Sequence, residues 1–349
     1  MKSITRNTIV VPFSDCDTWS SYVTRSHKYD FYHTSDYHEI AKKGEPLLFV
    51  YEEDNNFIAF PFLKRPIPNT NLYDFHSVYG YNGPISNVEI DELNEEFIEQ
   101  FQLALKEFLK EEKCVSVFAK FHPFFNQTRS LESMGGVHNN GKTVYIDLRQ
   151  SLEDQHKKYR SSTYKCIKKA RKLGYSSRLM EDSKEIGLFT ALYQKSMDRI
   201  GATSSYKFDE EYFTKLLNSK QCNAKLLLIL FEEKIICGGI ITFNSGIIQA
   251  HLLATDSNYL NHSPAKFLIE EICLLGREYS MDYFHLGGGL GYKDNSLLDW
   301  KLGFTDLILP QKSWRYVFDE KVYADLVLQS GNDLNSDVDF FPLYRLESK

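Results

Sequence analysis

Cysteines are few in this sequence, and none stand in a C-x-x-C pair. The six cysteines are spread over 349 residues, and several lie in apolar surroundings such as Ile236-Cys237-Gly238. This usage excludes a disulfide framework and a cysteine-based zinc site, because both need paired or closely spaced thiols. The sequence therefore indicates a reduced environment, and we predict a cytoplasmic protein without a bound metal.

Long apolar runs are missing as well. The chain nowhere offers about 18 apolar residues in a row, and the first residues, MKSITRNTIVVPFSDCDTW, contain no apolar stretch of signal-peptide length. We therefore predict no transmembrane segment, and at most peripheral contact with a membrane. An overall excess of basic residues is missing too. A net charge of −6 argues against bulk binding to nucleic acid, and we expect no DNA partner.

One segment departs from this acidic average. Between Gln155 and Met180 the chain has no acidic residue and nine basic ones, namely Lys157, Lys158, Arg160, Lys165, Lys168, Lys169, Arg171, Lys172 and Arg178. Lys165, Lys168, Lys169 and Lys172 follow the i, i+3, i+4, i+7 spacing of one helix face. The pattern predicts a helix with a basic face, which is either a site for phosphates or an ordinary solvated surface.

The periodicity of the apolar residues predicts an α/β protein of two lobes. Hydrophobic residues make up 42% of the chain, enough for two cores at this length. Four-residue spacing predicts a helix over 91–113, and the turn Asp54-Asn55-Asn56 predicts a hairpin over 47–65. Buried strands are predicted at 114–121 and 142–148. The second half reads as helices at 183–200 and 209–219, a hairpin over 224–255, a helix from Pro264 and a strand over 281–286.

The most unusual stretch is HLGGGLGYKDNSLLDWKLGF, residues 285–304, which has four glycines in five positions. It lacks the Lys and Ser or Thr of a Walker loop, and Tyr292 occupies the third glycine position of a dinucleotide loop, so both nucleotide motifs are excluded. The glycines either let a ligand approach the backbone or form a tight connection. Asp294, Asn295 and Ser296 are good N-caps for a short helix that brings Lys301 near the glycines.

Three stretches of the second half resemble the Fem-type aminoacyltransferases and their acyltransferase relatives, a branch of the GNAT superfamily. They are AKLLLILFEEKIICGGIITF (224–243), HLLATDSNYLNHSPAKFLIEE (251–271) and YFHLGGGLGYKDNSLLDWKLGF (283–304). The shared features are a glycine pair in a hairpin, a Ser-Pro before a helix, and glycines before a short helix ending in W-K-L-G-F. Trp300 replaces the usual Phe. Weaker likeness extends upstream to about Lys28, through KYRSSTYKCIKKARKLGY, YGYNGPI and SHKYDFYHTSDYHEIA.

The resemblance implies tandem GNAT-like domains, each a curved mixed sheet flanked by helices, with the acceptor in a channel between them. We expect the first domain at 1–150, joined by the tail 313–349, and the second at 151–312. The long coiled-coil arm of some family members is absent, because no pair of heptad helices occurs between 150 and 224.

The family resemblance also implies a function and a set of site residues. We expect an N-acyltransferase that modifies an amino group of a nucleotide- or lipid-linked precursor of peptidoglycan or surface polysaccharide. Lys301 is the predicted cation for the oxyanion or for acceptor phosphate, and His251, Asp256 and His285 are candidates for proton transfer. The predicted substrate-binding residues are Arg199, Tyr206, Tyr212, Gly288, Gly289, Tyr292 and Trp300.

The donor and the class of activity stay open at this stage. An acyl-CoA loop has the pattern Q/R-x-x-G-x-G/A, whereas residues 258–265 lack its glycines, so the donor is either CoA held differently or aminoacyl-tRNA. In both cases Lys165, Lys168 and Lys169 are the predicted contacts for donor phosphates, and no cofactor stays bound. The alternative to an enzyme is a non-catalytic GNAT-like module that binds glycan precursors or acts as a scaffold.

Overall fold

The computed structural model describes residues 6–41 and 43–346, which form strands and helices in alternating groups. The strands are β1 (Arg6–Pro12), β2 (Glu45–Glu53), β3 (Asn56–Pro66), β4 (Tyr73–His76), β5 (Ile85–Ser86), β6 (Cys114–Lys120), β7 (Val137–Asp147), β8 (Ser176–Leu179), β9 (Ala224–Phe231), β10 (Lys234–Asn244), β11 (Ile247–Thr255), β12 (Tyr283–Gly288) and β13 (Ile308–Val317). The α-helices are α1 (Cys16–Arg25), α2 (Ser35–Ala41), α3 (Glu95–Glu111), α4 (Leu152–Lys158), α5 (Ser161–Lys172), α6 (Lys184–Ile200), α7 (Glu210–Asn218), α8 (Pro264–Glu278), α9 (Ser296–Lys301) and α10 (Glu320–Gln329).

The chain divides into two compact units. Unit 1 consists of residues 1–140 and 310–349, and unit 2 of residues 141–309. The sequence-based boundaries, after residues 150 and 312, lie ten and three residues beyond these limits, just after β7 and within β13. The reading of each unit as a separate GNAT-like domain with those boundaries stays a prediction.

Unit 1 is a mixed sheet with helices on both faces. Its strands follow the order β1-β2-β3-β4-β6-β13, with β5 added on β3; β4 and β6 run parallel and the other neighbours antiparallel. The apolar stripe of α3, including Phe97, Phe101 and Leu105, packs on one face beside Trp314. Trp19 of α1 packs on the other face. Burial of these aromatic side chains provides the main stabilisation of the unit.

Unit 2 repeats this architecture. Its strand order is β7-β12-β11-β10-β9-β8, in which β11 and β12 run parallel and the other neighbours antiparallel. Ile167 of α5 and Phe267 of α8 belong to the core on one face. An aromatic cluster that includes Phe189 of α6 and Phe213 of α7, with ring centroids 5.2 Å apart, packs with the helices that cover the other face.

Both units share one strand order that is not visible as a sequence repeat. Each has four antiparallel strands (β1 to β4, or β8 to β11), then a helix (α3 or α8) that crosses to a parallel strand (β6 or β12). A final antiparallel strand closes each sheet. Unit 1 takes that strand, β13, from the chain after unit 2, and unit 2 takes β7 from the chain before it. The chain is therefore a tandem structural repeat whose closing strands are exchanged in sequence order.

The sequence-based elements agree with this structure except at the glycines after residue 286 and in the segment 224–255. The hairpin β2–β3, the helix α3 and the helix α8 beginning at Pro264 are confirmed, with ends shifted by a few residues. The strand predicted at 281–286 instead continues through Gly287 and Gly288, and the segment 224–255 forms three strands. Among the described residues, no helix has the length and apolar character needed to cross a membrane.

Candidate active site

The parallel strands of unit 2 separate where the candidate site begins. β11 and β12 pair at three positions, ending at Gln249 and His285, although β11 continues to Thr255 and β12 to Gly288. His251 and Gly287 each stand two residues beyond this last pair. The end of a parallel pair is a common location of ligand sites in open sheets with crossover helices.

The glycines of β12 are required by close contacts rather than by flexibility alone. A Cβ on Gly288 would lie 2.8 Å from the carbonyl oxygen of Lys142 and 2.5 Å from the Tyr292 ring. A Cβ on Gly289 would lie 2.3 Å from the carbonyl oxygen of Lys293. Tyr292 itself adopts a positive φ of 59°, which is uncommon for a residue with a side chain and is often found at functional sites.

Lys301 occupies the last position of α9, a helix of fewer than two turns. Asn295 caps this helix by accepting hydrogen bonds from the backbone N–H groups of Leu297 and Leu298. Leu298 and Phe304 are buried in the core of unit 2 and fix the helix at both ends. A helix this short is stabilised by such contacts rather than by its own hydrogen bonds.

The Lys301 ammonium lies against the glycine strand. Its Nζ donates a hydrogen bond to the carbonyl oxygen of Gly288 at 2.7 Å, and a Cβ on Gly287 would lie 3.2 Å from the same nitrogen. Burial lowers the pKa of Lys301 to about 8, because the charged form loses hydration there. Within residues 6–41 and 43–346 Lys301 has no carboxylate partner. The site therefore offers a dehydrated cation that an anionic ligand group or a developing oxyanion could neutralise.

The segment joining α4 and α5 holds α9 in place. The backbone N–H of Arg160 donates to the carbonyl oxygen of Gly303 at 2.9 Å, and its guanidinium donates to both oxygens of Asp299 at 2.8 and 2.7 Å. The Tyr159 ring contacts Phe304 edge-on at 5.4 Å, and its hydroxyl donates to the buried Glu270 at 2.7 Å. Sequence reasoning missed this brace, since its partners are more than 100 residues apart.

His251 and Tyr212 meet on the α7 side of the sheet. His251 Nε2 and the Tyr212 hydroxyl oxygen are hydrogen bonded at 2.8 Å, and the Phe208 ring stacks on Tyr212 at 4.1 Å. Tyr212 is buried and His251 is half-buried. Tyr206 is 37% exposed, and its carbonyl oxygen accepts a hydrogen bond from Tyr193 at 2.8 Å. These contacts fix the imidazole ring in one orientation.

Arg199 and Asp256 line one groove of about 860 Å³. Arg199 is exposed, whereas Asp256 forms an ion pair with Lys234 at 2.9 Å. Burial opposes ionisation of Asp256, but the backbone N–H of Asn258 and the Lys234 ammonium outweigh it and lower the pKa of Asp256. An ionised carboxylate held in this way is a weak proton acceptor. Lys195, one turn before Arg199, lines the same groove and was missed from the sequence, although its i, i+4 spacing could have indicated it.

The remaining predicted residues fall at separate places in unit 2. His285 is buried, with Nε2 at 2.6 Å from the Thr143 hydroxyl, which is a packing position. Trp300 is half-buried against Phe304, with ring centroids 5.2 Å apart. Lys165, Lys168 and Lys169 are exposed on α5. The structure thus brings Lys301 together with Gly288, His251 with Tyr212, and Arg199 with Asp256. No group of His, Cys, Asp or Glu in the described chain has the arrangement of a metal site.

The repeated strand order, with a helix crossing to a parallel strand in each unit, defines a tandem GNAT-like fold of the Fem type. FemX has this fold, with a TM-score of 0.71 over 91% of this chain and 98% of FemX, at 12% identity. L-PGS from Bacillus licheniformis has a TM-score of 0.56 over 90% of this chain and 96% of that one, at 13% identity. The C-terminal domain of a candidate lysylphosphatidylglycerol synthetase from Agrobacterium fabrum gives 0.57 over 90% and 95%, also at 13%.

These likenesses confirm the predicted resemblance at the level of the fold. No protein-family model matches the sequence, and no curated protein matches it either. Because the identities are so low, the fold is shared but the site residues have to be judged on their own geometry.

Proposed function

We propose that this chain is a Fem-like N-acyltransferase, which moves an acyl or aminoacyl group onto an amino group of a peptidoglycan or surface-polysaccharide precursor. The observation that carries the proposal is the half-buried Lys301 ammonium, which lies on the glycine strand where β11 and β12 separate and has no carboxylate partner in the described part of the chain. FemX and L-PGS have the same fold, which supports acyl transfer as the class of reaction.

The chemistry follows from the groups around the strand ends. The acceptor amine attacks the carbonyl carbon of the donor and a C–N bond forms. The C–O bond of an ester or the C–S bond of a thioester breaks, and the tRNA hydroxyl or the CoA thiol leaves with the proton that the amine gives up. Lys301 in its charged form stabilises the negative charge that develops on the carbonyl oxygen, or holds a phosphate of the acceptor. We assign proton removal from the amine to His251, which Tyr212 orients. Arg199 contributes a guanidinium for an anionic part of the substrate.

The donor remains open between acyl-CoA and aminoacyl-tRNA, and the assignment of donor phosphates to Lys165, Lys168 and Lys169 stays a prediction. We place the reaction in the cytoplasm, which the six free cysteines support. A nucleotide- or lipid-linked precursor is the expected acceptor, and no bound cofactor or metal is part of the proposal.

The test is a transfer assay with the full chain. Charged tRNA and acyl-CoA are each offered with a nucleotide-linked sugar that carries a peptide amine, and the product is detected by its mass. We expect transfer from one donor class, a loss of about 100-fold or more in kcat/KM for Lys301→Ala, and partial retention for Lys301→Arg. Lys220→Ala, at an exposed lysine outside the site, serves as the matched control and should be near wild type.

The pH profile gives a second readout. If the charged form of Lys301 is needed, wild-type activity falls as the pH rises through about 8, and Lys301→Arg extends activity to higher pH. Full activity in Lys301→Ala would remove Lys301 from the mechanism. Binding of the precursor without turnover of either donor would favour the non-catalytic module instead.

A further inference from the structure

The outer face of α5 carries a lysine stripe, by which we mean Lys165, Lys168, Lys169 and Lys172. All four side chains belong to exposed residues, while Thr163, Ile167 and Ala170 on the opposite face of the helix are buried. The stripe spans eight residues, or about 10 Å of helix from its first lysine to its last. It therefore presents four ammonium groups to solvent along one line.

The fold leaves these four cations without acidic partners while pairing their neighbours. In the same basic segment Lys157, Arg160, Arg171 and Arg178 form ion pairs with carboxylates at 2.5 to 2.9 Å. Within the described residues no carboxylate pairs with a member of the lysine stripe. Lys165 and Lys169, like Lys168 and Lys172, are like charges at i, i+4, which destabilises a helix. Because the like charges of the lysine stripe destabilise α5, we take the stripe as an indication of an external anionic partner.

Two further features indicate what kind of anion fits. Leu173, directly after the stripe, is 42% exposed, so an apolar side chain adjoins the lysines. The Tyr164 ring, half-buried, lies under the Lys168 ammonium at 4.2 Å and offers little surface for stacking a base. Lysines on an outward helix face with a neighbouring leucine suit a flat surface of anionic headgroups, where each cation adds attraction and the leucine can enter the interface.

We propose that the lysine stripe and Leu173 dock unit 2 on an anionic lipid membrane. The overall charge of −6 makes the rest of the chain a poor membrane ligand, so attraction depends on this local face. Docking of this kind is peripheral and reversible, and it weakens as salt screens the lysines. The proposal does not depend on the chemistry of the Lys301 site.

The experiment is flotation of the full chain with vesicles. Vesicles of phosphatidylcholine with about 30% phosphatidylglycerol are compared with pure phosphatidylcholine at about 0.1 M and about 0.5 M salt. We expect binding to the anionic vesicles at the lower salt and release at the higher. Changing all four stripe lysines to Gln should weaken vesicle binding by about 30-fold or more, since each lysine adds several-fold attraction. Leu173→Ala should weaken it by less, about threefold to tenfold.

The matched control removes the same number of charges elsewhere. Its substitutions to Gln are at four exposed lysines outside the stripe, Lys106, Lys110, Lys220 and Lys321. Equal weakening in this control, or vesicle binding that survives loss of the stripe, would overturn the proposal. Filter binding of bulk tRNA is measured in parallel. If the chain binds tRNA through the stripe in preference to anionic vesicles, membrane docking is wrong and the assignment of these lysines to donor phosphates is favoured.

Discussion

The two units share one strand order but differ in how far their two parallel strands stay paired. In unit 1 the parallel contact of β4 and β6 continues beyond the strands, because Ser77 donates to the Phe118 carbonyl oxygen and Asn82 bridges to Phe121. In unit 2 the corresponding pair ends at Gln249 and His285. The parallel strands therefore stay in contact at this point in unit 1 and separate in unit 2.

The groups near these strand ends differ in the same way. Unit 1 buries Asp30, His33, His38 and His122 at 0 to 2% exposure, and His122 Nε2 lies 3.0 Å from Asp30 Oδ2. Unit 2 has glycines there and an ammonium group against them. Burial keeps the imidazoles of His33 and His38 neutral, so they can be enclosed in a core, whereas an ammonium without a carboxylate partner needs a ligand or water. We therefore expect unit 1 to have a mainly supporting role and unit 2 to carry the proposed chemistry.

The largest expected effect is a selective loss of unit 1 in acid. Burial lowers the pKa of His33 to about 4 and of His38 to about 3, from an ordinary value of 6.5. The unfolded chain therefore binds more protons below pH 6.5, so the free energy of unfolding of unit 1 falls as the pH drops, by roughly 6 kcal/mol at pH 4. Hydrogen exchange measured at several pH values, with intrinsic rates normalised, should show peptides around α2 losing protection before those of α8.

A variant sharpens this acid prediction. His38→Asn keeps a donor near the position of Nδ1, which lies 2.9 Å from the Thr34 carbonyl oxygen, and removes the titrating ring. It should flatten the acid dependence of unit 1 even if it lowers stability at neutral pH. Loss of protection in α8 at a higher pH than in α2 would reverse the comparison.

The second prediction concerns the ion pairs that close each unit. Asp74 is 1% exposed and accepts from Arg65 at 2.7 Å and from Arg345 at 2.5 Å, so it ties the C-terminal tail to β3 and β4. Asp74→Ala leaves these arginines without their partner and should lower the free energy of unfolding by about 3 to 5 kcal/mol in urea titrations followed by circular dichroism. Asp299→Ala breaks the exposed Arg160 pair of unit 2 and serves as the control, with an expected loss below about 1 kcal/mol. A similar loss of unfolding free energy in Asp74→Ala and Asp299→Ala would contradict the expected difference between the buried and the exposed ion pair.

The third prediction, with the smallest effect of the three apart from the Asp299 control, concerns the stability contribution of Lys301. Its folded pKa of about 8 lies below the unfolded value of 10.5, so the unfolded chain binds more protons between these values and wild-type stability rises with pH across that window. Lys301→Met removes the cost of burying the charge but also the hydrogen bond to Gly288. It should stabilise the chain by about 1 to 2 kcal/mol at pH 7, with the gain vanishing near pH 10.5. Thermal unfolding across this pH range checks the prediction, and destabilisation at pH 7 would show that Lys301 has a structural role.

Local patterns in the sequence predicted most helices and strands, whereas contacts between residues far apart in the sequence could not be predicted. The hairpin β2–β3 and the helix α3 follow from turn residues and apolar spacing, and W-K-L-G-F correctly placed Lys301 near the glycines. The extension of β12 through Gly288 was missed, because glycines are unfavourable in strands unless another backbone comes close, as Lys142 does here. The buried histidines of unit 1 were missed although the segment 29–43 is rich in His and Tyr, since they pack against residues outside that segment, such as Phe125 on His33 and Trp19 on His38. The repeat of the two units is a property of strand order, and residue identities do not carry it.

The exchange of closing strands has a consequence for synthesis. A ribosome delivers residues from the N-terminus onward, so the strands of unit 2, which end at Gly288, are complete while β13 at Ile308–Val317 is still unmade. Unit 1, although most of it precedes unit 2 in the chain, waits for β13 and for Arg345, which binds Asp74. Most of unit 1 is therefore translated before unit 2 but completes its sheet after it, and the nascent chain exposes an open edge at β6 until β13 arrives.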